Sequence, residues 1–173
     1  MTDFIGIDPG LRGAVALIAG DRLKVYDMPT LEYVIAGKKK RSEIDIHRLY
    51  KIFFTASCPL QDPVCYLEGV AGMPGMGGTQ MFAFGQAYGM TKAAIALSHI
   101  PYEIISPQKW KNHYGLTRDK AGSFEMASEI FPDFKHLWTR KKDDGRAEAA
   151  LIANYARELT RAKSTNQKEL FHG

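Results

Sequence analysis

Short apolar runs separated by turn residues open the chain and predict three consecutive strands. Residues 4–8 and 14–18 have the continuous apolar character of buried strands, whereas residues 23–27 alternate apolar and polar positions as a half-exposed strand does. Only a few turn residues, at 9–13 and 19–22, separate these runs. Since such short connections join antiparallel neighbours, the pattern predicts an antiparallel meander.

The rest of the chain alternates helical and strand patterns. A solvated basic loop at 38–41 precedes a helix over 44–54, for which Ser42 is the expected cap. Ser106 and Pro107 have the residue types of an N-cap and a first helical position. The other predicted elements are a strand at 64–68, a glycine- and methionine-rich loop at 69–78, a small-residue helix at 79–98, a strand at 101–105, and helices near 119–130 and 144–162.

This order predicts an α/β protein with the ribonuclease-H-like fold. We expect a five-stranded mixed sheet, in which the first three strands are antiparallel and the last two parallel, with helices on both faces. The 173 residues suffice for one domain. We assign residues 1–165 to it and residues 166–173 to a frayed tail.

Composition and charge exclude several classes of protein. The chain is 45% hydrophobic and 24% charged, which excludes wholesale disorder. Its net charge of +4 permits a polyanionic partner but is far below that of a histone-like binder. With two cysteines, no secretory signal, and no apolar stretch near the roughly 18 residues of a membrane span, we expect a soluble cytoplasmic protein with no membrane partner.

Several acidic residues lie at positions that the predicted fold could bring close together. Asp8 ends the first strand and Glu68 the fourth, and these strands can be neighbours in such a sheet. Asp144 and Glu148 are four positions apart and share one face of the last helix. Singly, Asp8 could form a turn, Asp144 could cap a helix and Glu148 could be a surface residue; together they favour one site.

The chemistry that fits four converging carboxylates is divalent-metal chemistry. Hard oxygen ligands suit Mg²⁺ or Mn²⁺, and such a cluster repels itself unless cations neutralise it. Two ions about 4 Å apart can activate a water and stabilise a leaving oxygen in phosphodiester hydrolysis. We therefore predict two ions per site.

Several motifs carry a resemblance to a known family. Residues 6–10 with 13–16, 67–70, 84–89, 107–111 with 119–120, and the acidic segment from 144 to 151 resemble the RuvC family of Holliday-junction resolvases. The similarity spans most of the chain. The segment 141–148 resembles members encoded by bacteriophages, which would act in a bacterial host cell.

The resemblance implies a homodimeric crossover junction endodeoxyribonuclease of DNA recombination and repair. In this interpretation Asp8, Glu68, Asp144 and Glu148 hold two Mg²⁺ or Mn²⁺ ions, one generating hydroxide and the other stabilising the departing 3′ oxygen. The products would be paired nicks in four-way junctions with 5′-phosphate ends. We expect the dimer interface along the small residues from Gly85 to Ala96.

The chain also departs from the family pattern. The family's last acidic pair has aspartates three positions apart, whereas Gly145 stands three before Glu148 and Asp144 four before it. Asp143 therefore remains an alternative to Asp144 as the ligand. Ala71 occupies the position of the aromatic residue that is thought to open the junction in bacterial members.

Basic and apolar residues near the predicted site are candidates for DNA contact. The resemblance places two basic residues of the 107–120 stretch on DNA phosphate, and backbone binding depends mainly on charge. Lys111 could also stabilise the pentacovalent phosphorane and is our catalytic candidate. Met73 and Met76 could insert at the crossover as apolar wedges do between base steps. The full DNA-binding set is Lys109, Lys111, Arg118, Lys120, Arg12, Met73 and Met76, while Trp110 and Trp138 are predicted to be packing residues.

Three alternatives stay open on the sequence. A looser nuclease would debranch DNA of several shapes. A nuclease of the same fold could act on RNA or RNA–DNA hybrids, since the opening motif also resembles ribosomal-RNA-processing relatives, which lack Glu68 and the 84–89 segment. A non-catalytic module could bind junctions without cutting them. A sugar-kinase or actin-like ATPase needs a second half that 173 residues cannot supply.

Overall fold

The structure is a computed structural model that describes residues 2–34, 37, 40–55, 62–70, 75, 77–117 and 120–171. Its strands are β1 (Phe4–Asp8), β2 (Ala14–Ala19), β3 (Arg22–Asp27), β4 (Thr30–Val34), β5 (Lys40–Ile44), β6 (Val64–Glu68) and β7 (Tyr102–Ile105). Its α-helices are α1 (Ile46–Thr55), α2 (Gly78–Leu97), α3 (Pro107–His113), α4 (Lys120–Ile130) and α5 (Asp144–Phe171). Two 3₁₀ segments, Pro132–Trp138 and Lys141–Asp143, lead into α5.

The main sheet has five strands in the order β3-β2-β1-β6-β7. Strands β1, β2 and β3 pair antiparallel, whereas β6 runs parallel to β1 and β7 runs parallel to β6. The central strands are almost entirely apolar because both of their faces are covered. This arrangement confirms the fold predicted from the sequence.

The two faces of the sheet carry separate cores. Helices α1 and α2 cover one face, packing against residues such as Ile5, Ile7 and Leu67. Helices α3, α4 and α5 cover the other. The approach of α5 to β1 is very close, since a Cβ added at Gly6 would lie 2.2 Å from the carbonyl oxygen of Ala149. Only glycine at this position lets α5 lie flat on the central strand.

A β-hairpin that the sequence analysis missed lies between β3 and α1. Strands β4 and β5 form a separate two-stranded sheet. Lys40 and Arg41, predicted to belong to a solvated loop, are exposed residues of β5, and Lys38 and Lys39 lie outside the described residues. Ser42 is also in β5 and does not cap α1.

The cap of α1 is instead Asp45, whose Oδ1 accepts a hydrogen bond of 3.0 Å from the backbone N–H of Arg48. The other helices begin within one or two residues of their predicted starts. At its far end α5 continues to Phe171, well beyond the predicted end at Ala162. The assignment of residues 1–165 to one domain stays a prediction.

No helix in the described part of the chain is long and apolar enough to cross a membrane. Of the two cysteines, Cys65 is buried with a free thiol, and Cys58 lies outside the described residues.

Candidate active site

Two carboxylates end adjacent parallel strands at the same edge of the sheet. Asp8 is the last residue of β1 and Glu68 the last of β6, and the register pairs Ile7 with Leu67 just before them. Because β1 and β6 are parallel neighbours, their carboxyl ends lie side by side. The structure thus places Asp8 and Glu68 together.

The first turn of α5 lies directly over this edge. A Cβ added at Gly145 would come within 2.6 Å of the carbonyl oxygen of Arg12 and 3.0 Å of Oδ2 of Asp8. Gly145 therefore lets α5 begin against the turn that follows β1. Asp144 and Glu148, one helical turn apart, are thereby carried toward Asp8.

Asp8 is the electrostatic centre of the group. The pKa of Asp8 is raised from 3.8 to about 8. Burial is the largest cause, and the negative charges of Glu68, Glu148 and Asp144 add to it. A hydrogen bond from the backbone N–H of Gly10 opposes the shift. Three carboxylates from two other elements, β6 and α5, therefore act on one partly buried aspartate. Such a concentration of charge is typical of functional sites.

Glu148 is held by donors from two other helices. The Nζ of Lys111, on α3, donates to Oε1 of Glu148 at 2.8 Å, and the Oγ of Ser123, on α4, lies 3.4 Å from the same oxygen. The lysine and glutamate side chains are only 17% and 11% exposed. Lys111 is the cation that compensates the buried charge of Glu148.

Glu68 has a different donor. The indole Nε1 of Trp110, the residue before Lys111, donates to Oε1 of Glu68 at 2.8 Å. Burial raises the pKa of Glu68, the Trp110 hydrogen bond opposes this shift, and the charge of Glu148 adds to it. The Lys111 ammonium also lies 5.0 Å from the centre of the Trp110 ring.

Asp143 is engaged in a structural pair. Arg140 donates to both of its carboxylate oxygens, from Nη2 to Oδ1 at 2.9 Å and from Nε to Oδ2 at 3.0 Å, and the backbone N–H of Arg140 donates to Oδ2 as well. These bonds lower the pKa of Asp143. Of the two alternative ligands, Asp144 is the one whose charge acts on Asp8.

The remaining predicted residues fall into two groups. Arg12 is exposed in the turn beside Gly145, and Lys109 is exposed on α3 near Lys111. Met73, Met76, Arg118 and the Ala71 position lie outside the described residues, as does the side chain of Lys120, although its backbone begins α4.

The donor set suits a hard divalent cation, because it consists of carboxylates that are partly buried and repel one another. As the side chains stand, no three carboxylate, histidine or cysteine groups among the described residues are arranged to hold a metal ion. One oxygen each of Glu148 and Glu68 is engaged by Lys111 and Trp110. Metal binding therefore requires at least Glu148, which Lys111 engages, to change its partner or rotamer.

Sequence reasoning missed two residues of this site. Trp110, predicted to be a packing residue, is fully buried and also hydrogen-bonds Glu68. Ser123 carried no motif at all. Of the two, only Trp110 could have been found from the sequence. A buried indole N–H needs a hydrogen-bond acceptor, and Trp110 is adjacent to Lys111, which is itself a candidate site residue.

Comparisons with known proteins give structural matches only. No protein-family model and no curated protein matches this chain. A structure of Thermus thermophilus RuvC in complex with a Holliday junction substrate aligns with a TM-score of 0.57 at 14% identity, over 88% of this chain and 90% of that one. The chain has the RuvC fold. A second structure of T. thermophilus RuvC aligns with a TM-score of 0.52 at 13% identity, over 91% of this chain and 96% of that one.

The RuvC fold confirms the ribonuclease-H-like architecture expected from the sequence motifs. The alignments extend over nearly the whole of both chains, so the RuvC fold accounts for the β-meander, the parallel strands and the helices on both faces alike. The path of the chain is shared even though few residues are identical.

Proposed function

We propose that this protein is a divalent-metal-dependent endonuclease that cuts branched DNA, with four-way junctions as its principal substrate. The observation that carries the proposal is the convergence on Asp8 of charges from Glu68, Glu148 and Asp144, at the carboxyl edge of a RuvC-fold sheet. Lys111 stands beside the same group. A cluster of partly buried carboxylates is costly to keep and is expected only where function requires it.

The residues that would hold Mg²⁺ or Mn²⁺ are Asp8, Glu68, Asp144 and Glu148. Two bound ions would supply an activated water and stabilise the leaving oxygen of a phosphodiester. Asp143 is left out of this set because Arg140 already satisfies both of its oxygens. The same pair orders the chain just before α5 and so supports the position of Asp144.

Lys111 has two roles in this proposal. Before metal arrives, its ammonium compensates Glu148 at 2.8 Å. With Glu148 turned toward an ion, the ammonium would be free at the edge of the site to contact the charge that develops on the phosphate. Lys109, exposed on α3, and Arg12, exposed in the turn after β1, would contact DNA phosphates.

The preference for four-way junctions rests on the neighbour that was solved with a Holliday junction substrate. Paired nicking requires two copies, and α2 offers a surface for the second. One side of this helix exposes Phe82, which is 70% accessible, together with Gly85, Gly89 and Ala93. Small residues let a second helix approach closely while Phe82 buries apolar surface, so we propose a homodimer through α2. Ala87 and Ala94, both part of the predicted interface, instead face the core.

End-labelled substrates of different shapes test the proposal. A four-way junction, a Y-fork, a linear duplex and an RNA–DNA hybrid are incubated with Mg²⁺ or Mn²⁺, and the cut sites are mapped. We expect symmetric cuts on the junction and none on linear duplex. Cuts on every branched substrate would indicate a looser debranching nuclease, cuts on the hybrid a ribonuclease, and binding without cuts in either metal a junction-binding module.

A further inference from the structure

We propose that Trp110 is a positioning residue, whose indole N–H fixes the orientation of Glu68 and thereby sets the affinity of the acidic site for divalent cations. The inference rests on the proposed function, since it concerns the same carboxylates. Its basis is the 2.8 Å hydrogen bond from Nε1 of Trp110 to Oε1 of Glu68, between a fully buried ring and a partly buried carboxylate.

This hydrogen bond restricts Glu68 without saturating it. An indole has one N–H donor and no acceptor, so it can make this bond in only one orientation. A carboxylate has about four lone-pair positions on its two oxygens and can accept from Trp110 while offering the others to a cation. The bond therefore selects one rotamer of Glu68 and leaves it competent as a ligand.

The donor itself is held rigidly. Helix α3 starts at the Ser106 cap, whose side chain accepts from the backbone of the first turn. At its other end the Tyr114 hydroxyl accepts a hydrogen bond of 2.9 Å from Nδ2 of buried Asn154. The Nε2 of His113 lies 2.6 Å from Oε2 of Glu158. Both Asn154 and Glu158 belong to α5. Trp110 is thus fixed relative to the helix that carries Glu148.

The adjacent residue reinforces this arrangement. Trp110 and Lys111 are consecutive, and they hold Glu68 and Glu148 respectively. A single short helix therefore sets the positions of two carboxylates that come from a strand end and from another helix. Partners that orient metal ligands in this way commonly change metal affinity about 10- to 100-fold when they are removed.

The chain supplies a matched control for the test. Trp138 is also buried, at 3% exposure, and its Nε1 donates to the Oγ of Ser128 at 3.0 Å, on residues outside the acidic site. Trp110→Phe and Trp138→Phe each remove one indole and one hydrogen bond. Calorimetric titration with Mn²⁺ and with Mg²⁺ is expected to show about 10-fold weaker binding for Trp110→Phe and wild-type affinity for Trp138→Phe.

An isosteric replacement separates the hydrogen bond from packing. The chain has two tryptophans, so in the Trp138→Phe background Trp110 is the sole one. Growth of a tryptophan auxotroph on benzothienylalanine then replaces the Trp110 N–H by sulfur and keeps the shape of the ring. We expect this protein to lose metal affinity to the same extent as Trp110→Phe.

The outcomes are distinct. Unchanged affinity in the benzothienyl protein would overturn the positioning role of Trp110, and so would equal losses in Trp110→Phe and Trp138→Phe, while the proposed function would stand. No binding by the wild-type protein would overturn the metal site and this inference together. The expected pattern, in which only loss of the Trp110 donor weakens binding, would establish the role.

Discussion

Lys111 and Glu148 form an ion pair of 2.8 Å between two helices, with both side chains largely withdrawn from water. Removing the lysine would leave a buried glutamate facing Asp8 and Glu68 with no compensating charge. Breaking such a pair from one side commonly costs about 3 kcal/mol. The pair therefore links the stability of the metal-free protein to the same residue that we propose for catalysis.

We accordingly predict that Lys111→Ala lowers the free energy of unfolding by about 3 kcal/mol in EDTA, with a smaller loss in saturating Mg²⁺. Cleavage should fall by about 100-fold, the typical cost of one charge-stabilising donor. Urea titration and junction cleavage measure the two effects. The control is Lys109→Ala, an exposed neighbour that should change stability by less than about 0.5 kcal/mol. Equal changes in the free energy of unfolding for the two variants would refute the compensating role of Lys111, and unchanged cleavage by Lys111→Ala would refute its role in catalysis.

The pH dependence of stability reports on Asp8. Its folded-state pKa of about 8 lies above the ordinary value of 3.8, so the folded chain retains a proton that the unfolded chain releases. The stabilisation is fully present below the ordinary value and is lost as the pH rises through about 8. We therefore predict that the metal-free protein becomes less stable between about pH 5 and about pH 8.

Mg²⁺ should flatten this profile, because a bound cation favours the charged carboxylate, and Asp8→Asn should remove the group responsible. Urea unfolding at both ends of the range, in EDTA and in Mg²⁺, measures the slope. A metal-free profile that rises with pH in the wild type, or one unaffected by Asp8→Asn, would contradict the assignment.

Gly145 should tolerate no side chain. A Cβ there would meet the carbonyl oxygen of Arg12 at 2.6 Å and Cα of Gly13 at 2.8 Å, both in the backbone. We predict that Gly145→Ala moves the start of α5 away from Asp8, costs about 2 kcal/mol of stability and reduces cleavage. The control is Gly122→Ala on α4, whose Cβ would meet only the Cδ2 of Leu116 at 3.1 Å and should change stability by less than about 1 kcal/mol. Full activity of Gly145→Ala would show that this close contact does not position the site.

The sequence predicted the part of the fold that follows from periodicity. The five strands of the main sheet, the cap at Ser106 and the first helical position at Pro107 are local signals, and the structure confirms them. The β4–β5 hairpin was not predicted, because its strands are short, polar and exposed and so lack an alternating apolar pattern. Ser42 was the wrong cap for the same reason, since it belongs to β5.

The grouping of the acidic residues and the nearby Lys111 could be predicted from the sequence, whereas the donors to Glu68 and Asp143 could not. Asp8, Glu68 and Glu148 stand at the ends of elements, where a fold class can be used to bring them together. The bonds from Trp110 to Glu68 and from Arg140 to Asp143 depend on side-chain directions that no spacing rule encodes. The choice between Asp143 and Asp144 therefore depends on the structure, in which Arg140 hydrogen-bonds both carboxylate oxygens of Asp143.

The proposed dimer makes its own prediction. Gly89→Arg places a long charged side chain on the exposed small-residue side of α2, where a second helix would lie. We expect sedimentation to show a monomer and junction cleavage to leave single, unpaired nicks. Glu129→Arg, at an exposed position of α4 on the opposite face of the sheet, should remain dimeric. A wild-type protein that is monomeric both with and without junction DNA would refute the proposed dimer.

The central claim is that the carboxylates around Asp8 form a nuclease site. The most direct test compares wild type, Glu68→Gln and Glu129→Gln on an end-labelled four-way junction in Mg²⁺ and in Mn²⁺. Glu68→Gln keeps the size of the side chain and an acceptor for Trp110 while removing the charge, whereas Glu129 is exposed on α4. We predict junction cleavage by wild type and Glu129→Gln, and a loss of at least about 100-fold in Glu68→Gln. Wild-type cleavage that survives Glu68→Gln, or no cleavage by the wild type in either metal, would contradict the claim.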